Sequence, residues 1–130
     1  MRKIDEMVLV KVFGATVGSR PDIFHVPGHK LPFIVGDNVY RMPSLHFAPS
    51  KNIGEAMTVA EAMSVRPDDR WFLEWTNGHT LAVFRPSQPK DVHAKQYEGT
   101  APNRQLAICI AALKFANVPE SEITAAMEAK

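Results

Sequence analysis

TAPNRQLAICIAALKFANV, residues 100–118, is the stretch that decides the fold. Leu106, Ile110 and Leu113 recur three to four residues apart, with Cys109 and Ala116 beside them, so the spacing predicts an amphipathic helix apolar along one face for about three turns. Asn103, Arg104 and Lys114 fall on the other side. Thr100 is the expected N-cap, Pro102 suits a first turn where its missing N–H costs nothing, and Asn117 followed by Pro119 ends the run. Ala107, Ala111, Ala112 and Ala116 keep the helix slim, which lets it lie close to a sheet.

The sheet is found just upstream. RWFLEWTNGHTLAVFRPS, residues 70–87, holds two aromatic and β-branched runs separated by Asn77-Gly78, a pair that tolerates positive φ and predicts a type I′ hairpin. Trp71, Leu73 and Trp75 alternate with Phe72 and Glu74, and Leu81 and Val83 with Ala82 and Phe84. After a turn at residues 86–89, residues 91–97 read as a third antiparallel strand. Ser50 is expected to open a helix with Ile53, Ala56, Met57, Ala60 and Met63 on one face, ended by residues 66–69. Residues 3–13 form another, with Ile4, Met7, Val8 and Val12 in phase and Gly14 as the stop, and residues 120–129 a last short one. The fold class expected is α+β, a three-layer α/β/α sandwich in which a small antiparallel meander is flanked by helices.

Residues 15–49 break the pattern. Five prolines and three glycines punctuate them. They read as an irregular loop region with short extended pieces at 23–26, 33–35 and 39–42, the last two joined by a turn at Gly36-Asp37-Asn38. Long ordered loops in small domains often carry function.

Composition narrows the function classes. A chain of 130 residues with 45% hydrophobic content suits one domain. Fifteen basic residues against fourteen acidic leave a net charge of +1, not the footprint of a duplex-nucleic-acid binder. The single cysteine, Cys109, falls on the predicted buried face and reads as a core residue in a reducing compartment. Asp5, Glu6 and Lys11 interrupt the apolar run a signal peptide needs, and no segment approaches the roughly 20 apolar residues of a membrane span.

MRKIDEMVLVKVFG, PSKNIGEAMTVAEAM, WFLEW and TAPNRQLAICIAALKFANV, in that order, resemble the phage ABA sandwich domain, a family of small proteins of bacteriophages and prophages. The family pattern includes a Ser-capped, alanine-bearing helix, a tryptophan-bearing strand and a helix that opens with Thr-Ala-Pro. Thr100-Ala101-Pro102, Ala107-Ile108-Cys109 and Ala111-Ala112-Leu113-Lys114 match it, whereas Asn103, Arg104 and Gln105 stand where the family has one or two residues. The resemblance implies the α/β/α fold, a phage origin and action in the host cytoplasm. It brings no catalytic residues.

Three functions are then weighed. The leading expectation is a non-enzymatic counter-defence protein, without cofactor, that sequesters a nucleotide-derived immune signal. Its alternatives are a protein-binding module that inhibits a host defence enzyme and a phosphodiesterase built on a histidine pair. For the first, His25, His29 and Lys30 in the His-Val-Pro-Gly-His-Lys loop could hold a phosphate with backbone amides near Gly28. Arg41 would add charge, and Tyr40 or Trp75 would stack a base. Pro27 and Gly28 exclude a helical i, i+4 pair of metal ligands; His46, His79 and His93 could act as acid and base, but His79 is followed directly by Thr80 and His46 by Phe47-Ala48, so neither opens a His-x-Thr or His-x-Ser motif. A lone shallow loop seldom gives the tight affinity sequestration needs, so a homo-oligomer that encloses the ligand is expected.

Overall fold

The computed structural model describes residues 2–64, 69–86 and 96–128. Helix α1 (Arg2–Lys11) is followed by four short strands, β1 (Thr16–Val17), β2 (Ile23–His25), β3 (Phe33–Ile34) and β4 (Leu45–His46). Helix α2 (Ile53–Met63) leads into the meander β5 (Arg70–Thr76), β6 (His79–Arg85) and β7 (Tyr97–Ala101), and α3 (Arg104–Phe115) and α4 (Glu120–Glu128) close the chain. The fold is an α+β sandwich of four helices and two small sheets, with the expected antiparallel meander packed on helix.

The meander follows from its turn. Asn77 and Gly78 take φ of 50° and 78°, the positive pair of a type I′ turn, and the register runs Thr76↔His79 out to Arg70↔Arg85. In that register Trp71, Phe84 and Tyr97 stand side by side, and Phe115 of α3 meets Phe84 and Tyr97 edge-on at 4.9 and 5.2 Å. The Trp71 indole N–H donates to the Ala60 carbonyl of α2 at 3.2 Å, which ties the sheet to a second helix.

Helix α3 is more deeply set than a one-faced helix. Every residue from Leu106 to Leu113 is buried, because the meander lies on one side while α1 and α2 pack on others. The small residues expected to permit close approach do so at Gly99. A Cβ there would fall 2.7 Å from the Ala111 nitrogen and would press on the Ala107 carbonyl, so β7 meets the helix backbone directly. The helix start differs from expectation. Asn103, not Thr100, is the N-cap, accepting from Leu106 N–H at 2.9 Å, because Thr100 and Ala101 are claimed by pairing with Leu81 and Thr80. Asn117, at φ 67°, ends it with a Val118 N–H to Leu113 carbonyl bond of 3.0 Å, as the sequence suggests.

Ser50 likewise does not cap α2; Asn52 does, accepting from Glu55 N–H at 3.1 Å. Ser50 instead donates its N–H and hydroxyl to the carboxylate of Asp5 at 2.8 and 3.0 Å. That clamps α1 to the entry of α2. The stops expected at residues 66–68, the expected turn at 87–89 and the first residues of the third strand, 91–95, lie outside the described residues.

Residues 15–49 are not a loop region held apart from the core. They form the first sheet of the chain, in the order β1-β2-β3-β4, and Phe24, Val26, Ile34, Val35 and Phe47 are buried. The pieces expected near 23–26 and 33–35 are β2 and β3. The hairpin expected between 33–35 and 39–42 is corrected: β3 pairs antiparallel with β2 and parallel with β4. Residues 39–42 are not a strand, because the Tyr40 hydroxyl and the Asn38 amide both donate to Asp22, which pulls that loop back over β2.

Candidate functional site

The residues singled out from sequence are spread over several surroundings. His25 is exposed at the end of β2 beside Gly18, where a Cβ would fall 2.8 Å from its Nε2. His29 packs edge-on against Phe33 at 5.4 Å and lines a small apolar cavity of about 110 Å³ with Leu9, Val26 and Phe47. Lys30 and Arg41 are exposed. Tyr40 is half-buried, its hydroxyl donating to both oxygens of Asp22 at 2.8 and 2.9 Å and the Arg20 guanidinium 5.7 Å from its ring. Trp75 lies on β5 in the other sheet and is 65% exposed. The imidazoles of His46 and His79 face the Gly36 and Asn77 carbonyls, each at 3.3 Å, while His93 lies outside the described residues.

A more concentrated arrangement surrounds α1, at residues the sequence did not single out. Between α1 and the edge of the first sheet runs a cleft of about 600 Å³. Buried Phe24 and half-buried Met7 floor it, the more exposed Val10 and Val17 extend its apolar lining, and Arg2, Lys3 and Lys11 line it with positive charge. Glu6 holds Arg2 at 3.4 Å and Lys3 at 3.9 Å, so two of the three cations are partly neutralised. Helical spacing explains the placement. Met7 follows Lys3 by four residues, and Val10 and Lys11 follow Met7 by three and four, so all lie along one side of α1.

Arg2 also borders a second hollow of about 390 Å³, shared with Asp5, Asp37, His46 and Lys51. Its guanidinium lies over Gly36, where φ is +109° and a Cβ would be 3.6 Å from Cζ. At the base of this hollow the Asp5 carboxyl is 2% exposed. Burial raises its pKa, against the lowering pull of the two Ser50 hydrogen bonds. Asp22 behaves oppositely: the donors Asn38 and Tyr40 lower its pKa, and the same bond raises that of Tyr40.

Among the described residues no group of three or more histidine, cysteine, aspartate or glutamate side chains could hold a metal ion. No described helix is long and apolar enough to cross a membrane. Cys109 is fully buried, and desolvation pushes its thiol pKa far up, so it is no nucleophile in the folded chain. Comparison with protein-family models, with curated proteins and with solved structures finds no match to this chain.

Proposed function

We propose that the chain binds a phosphate-bearing, nucleotide-derived small molecule in the α1 cleft and holds it without chemical change. The observation that carries this reading is that one cleft is lined both by apolar Met7, Val10 and Phe24 and by the cations Arg2, Lys3 and Lys11. A volume near 600 Å³ lies within the roughly 300–1,000 Å³ of small-molecule sites. The apolar lining suits a base or ribose face, and the cations suit phosphate oxygens. Combined with the resemblance to phage proteins, this reading makes the chain a counter-defence protein that withdraws an immune signal from the host cytoplasm. Effective withdrawal needs a Kd near nanomolar, about −12 kcal/mol.

The test is a calorimetric titration against cyclic di- and trinucleotides and ADP-ribose derivatives, with the ligand recovered by heating the complex. Tight binding of one member and its recovery intact are expected. Arg2→Glu with Lys11→Glu should weaken that binding at least a hundredfold, since each charge-assisted contact contributes roughly 1.5–3 kcal/mol. His29→Ala with Lys30→Ala, on a different surface, should leave it within twofold. Cleaved product would favour a phosphodiesterase, and silence across the panel would favour a protein target; either result removes the proposal.

A further inference from the structure

Among the described residues no strand pairs with the outer edge of β5. β5 is an outer strand of seven residues, and it exposes Phe72 (46%), Leu73 (43%) and Trp75 (65%). Long apolar edge strands are templates for pairing with another strand, and proteins that keep them monomeric blunt them with lysine, proline or bulges. β5 has no lysine, proline or bulge, and its two charges, Arg70 and Glu74, are of opposite sign and so do not repel a second copy paired antiparallel. The turn fixes which backbone groups face outward. Thr76 and His79 flank a two-residue loop and so form a hydrogen-bonded pair, and alternation from there directs the N–H and C=O groups of Trp71, Leu73 and Trp75 away from β6.

We propose that β5 pairs with β5 of a second copy of this chain, antiparallel, about a two-fold axis at Phe72. This goes beyond the ligand-binding reading and involves a different surface. The charge pattern selects both occupant and register. With the axis at Phe72, Arg70 stands opposite Glu74 of the other copy, twice, and Trp71 stands opposite Leu73, twice. Arg70 is the register neighbour of Arg85 on one face of the sheet, and the incoming Glu74 would add an acid to that face. Phe72, whose ring already has the Arg85 guanidinium at 5.3 Å, would meet its own symmetry mate in a non-hydrogen-bonded pair, the geometry that brings side chains closest. Shifting the axis to Leu73 would set Phe72 against Glu74 and give Arg70 no acid opposite. The arrangement is isologous, joins two meanders into one sheet and keeps both α3 helices on the same side.

Light scattering on the full chain at micromolar concentration tests it. The expected mass is roughly 29 kDa, twice the 14.5 kDa of one chain. Glu74→Arg should raise the dimer dissociation constant at least tenfold, and adding Arg70→Glu to it should restore the dimer, because the swapped pair is complementary only in this register. Circular dichroism on each variant checks that the fold is kept. Should a variant fail to fold, exchange protection of the Trp71 and Leu73 amides in the unaltered protein, expected to rise with concentration, replaces it. A monomer at all concentrations, a dimer indifferent to Glu74→Arg, a double variant that stays monomeric, or amides whose protection ignores concentration would each overturn the proposal. A monomer that takes up an unrelated extended peptide would assign the edge to a heterologous strand instead.

Discussion

Asp5 shows how one side chain can serve packing and titrate at the same time. The sequence places it at the N-terminal end of α1, where a carboxylate gains from the helix dipole. The structure buries it instead and spends both oxygens on Ser50. Because burial raises its folded pKa above the ordinary aspartate value of 3.8, the folded chain holds the proton more tightly than the unfolded one. The stability from this group is therefore present below pH 3.8 and lost as pH rises through the folded pKa. Asp22, with a lowered pKa, acts in the separate window below 3.8, where its stabilisation is lost as pH falls. Asp5→Asn keeps an acceptor for the Ser50 N–H and has no charge to bury. Urea midpoints measured from pH 4 to 7 should thus decline less for Asp5→Asn than for the unaltered chain. Asp5→Ala, which orphans the buried Ser50 N–H, should cost roughly 1–3 kcal/mol throughout. Equal slopes for Asp5→Asn and the unaltered chain would refute this account.

Among elements, the contact of β7 with α3 is the tightest. Gly99→Ala would drive a methyl group against the backbone of Ala107 and Ala111, atoms that no rotamer change can move. Overpacking of this kind costs roughly 1–3 kcal/mol, and a fall in Tm of about 5–10 °C is expected by calorimetry. A change below 2 °C would mean that the strand shifts freely. What the sequence makes legible follows the same local logic. The hairpin is legible because Asn77-Gly78 and the aromatic alternation are both short-range signals. The body of α3 is legible because its periodicity spans three turns. Its start is not, since Thr100 looks like a cap until β6 claims it for pairing. β1 and β4 are two residues each, too short for any alternation, and the parallel β3–β4 pair joins residues a dozen apart. The α1 cleft is hidden for a related reason. Its cations come from a helix and its apolar lining in part from Val17 and Phe24, and nothing local announces that they meet.

At the scale of the molecule, one apolar cluster joins both sheets. Val26, Val35 and Phe47 of the first sheet belong to the same buried set as Ala82, Phe84 and Ala101 of the meander, through Leu9 of α1, Val59 of α2 and the body of α3. A domain built this way has no seam along which one sheet could melt alone, so its unfolding should be all-or-none. Both tryptophans, Trp71 and Trp75, lie in the meander, so fluorescence reports on that sheet while far-UV circular dichroism reports mainly on the helices. Val35 follows β3 of the first sheet and is 1% exposed, whereas both indoles stand on β5 of the other sheet. Val35→Ala removes two buried methyl groups and should cost roughly 1.5–3 kcal/mol. If the core is continuous, the denaturant midpoints by fluorescence and by circular dichroism coincide in the unaltered chain and fall by the same amount in Val35→Ala. A fluorescence midpoint that stays in place while the dichroism signal shifts would mean that the meander with α3 folds on its own, and that the first sheet, with the ligand cleft it helps to floor, is an addition to that smaller unit.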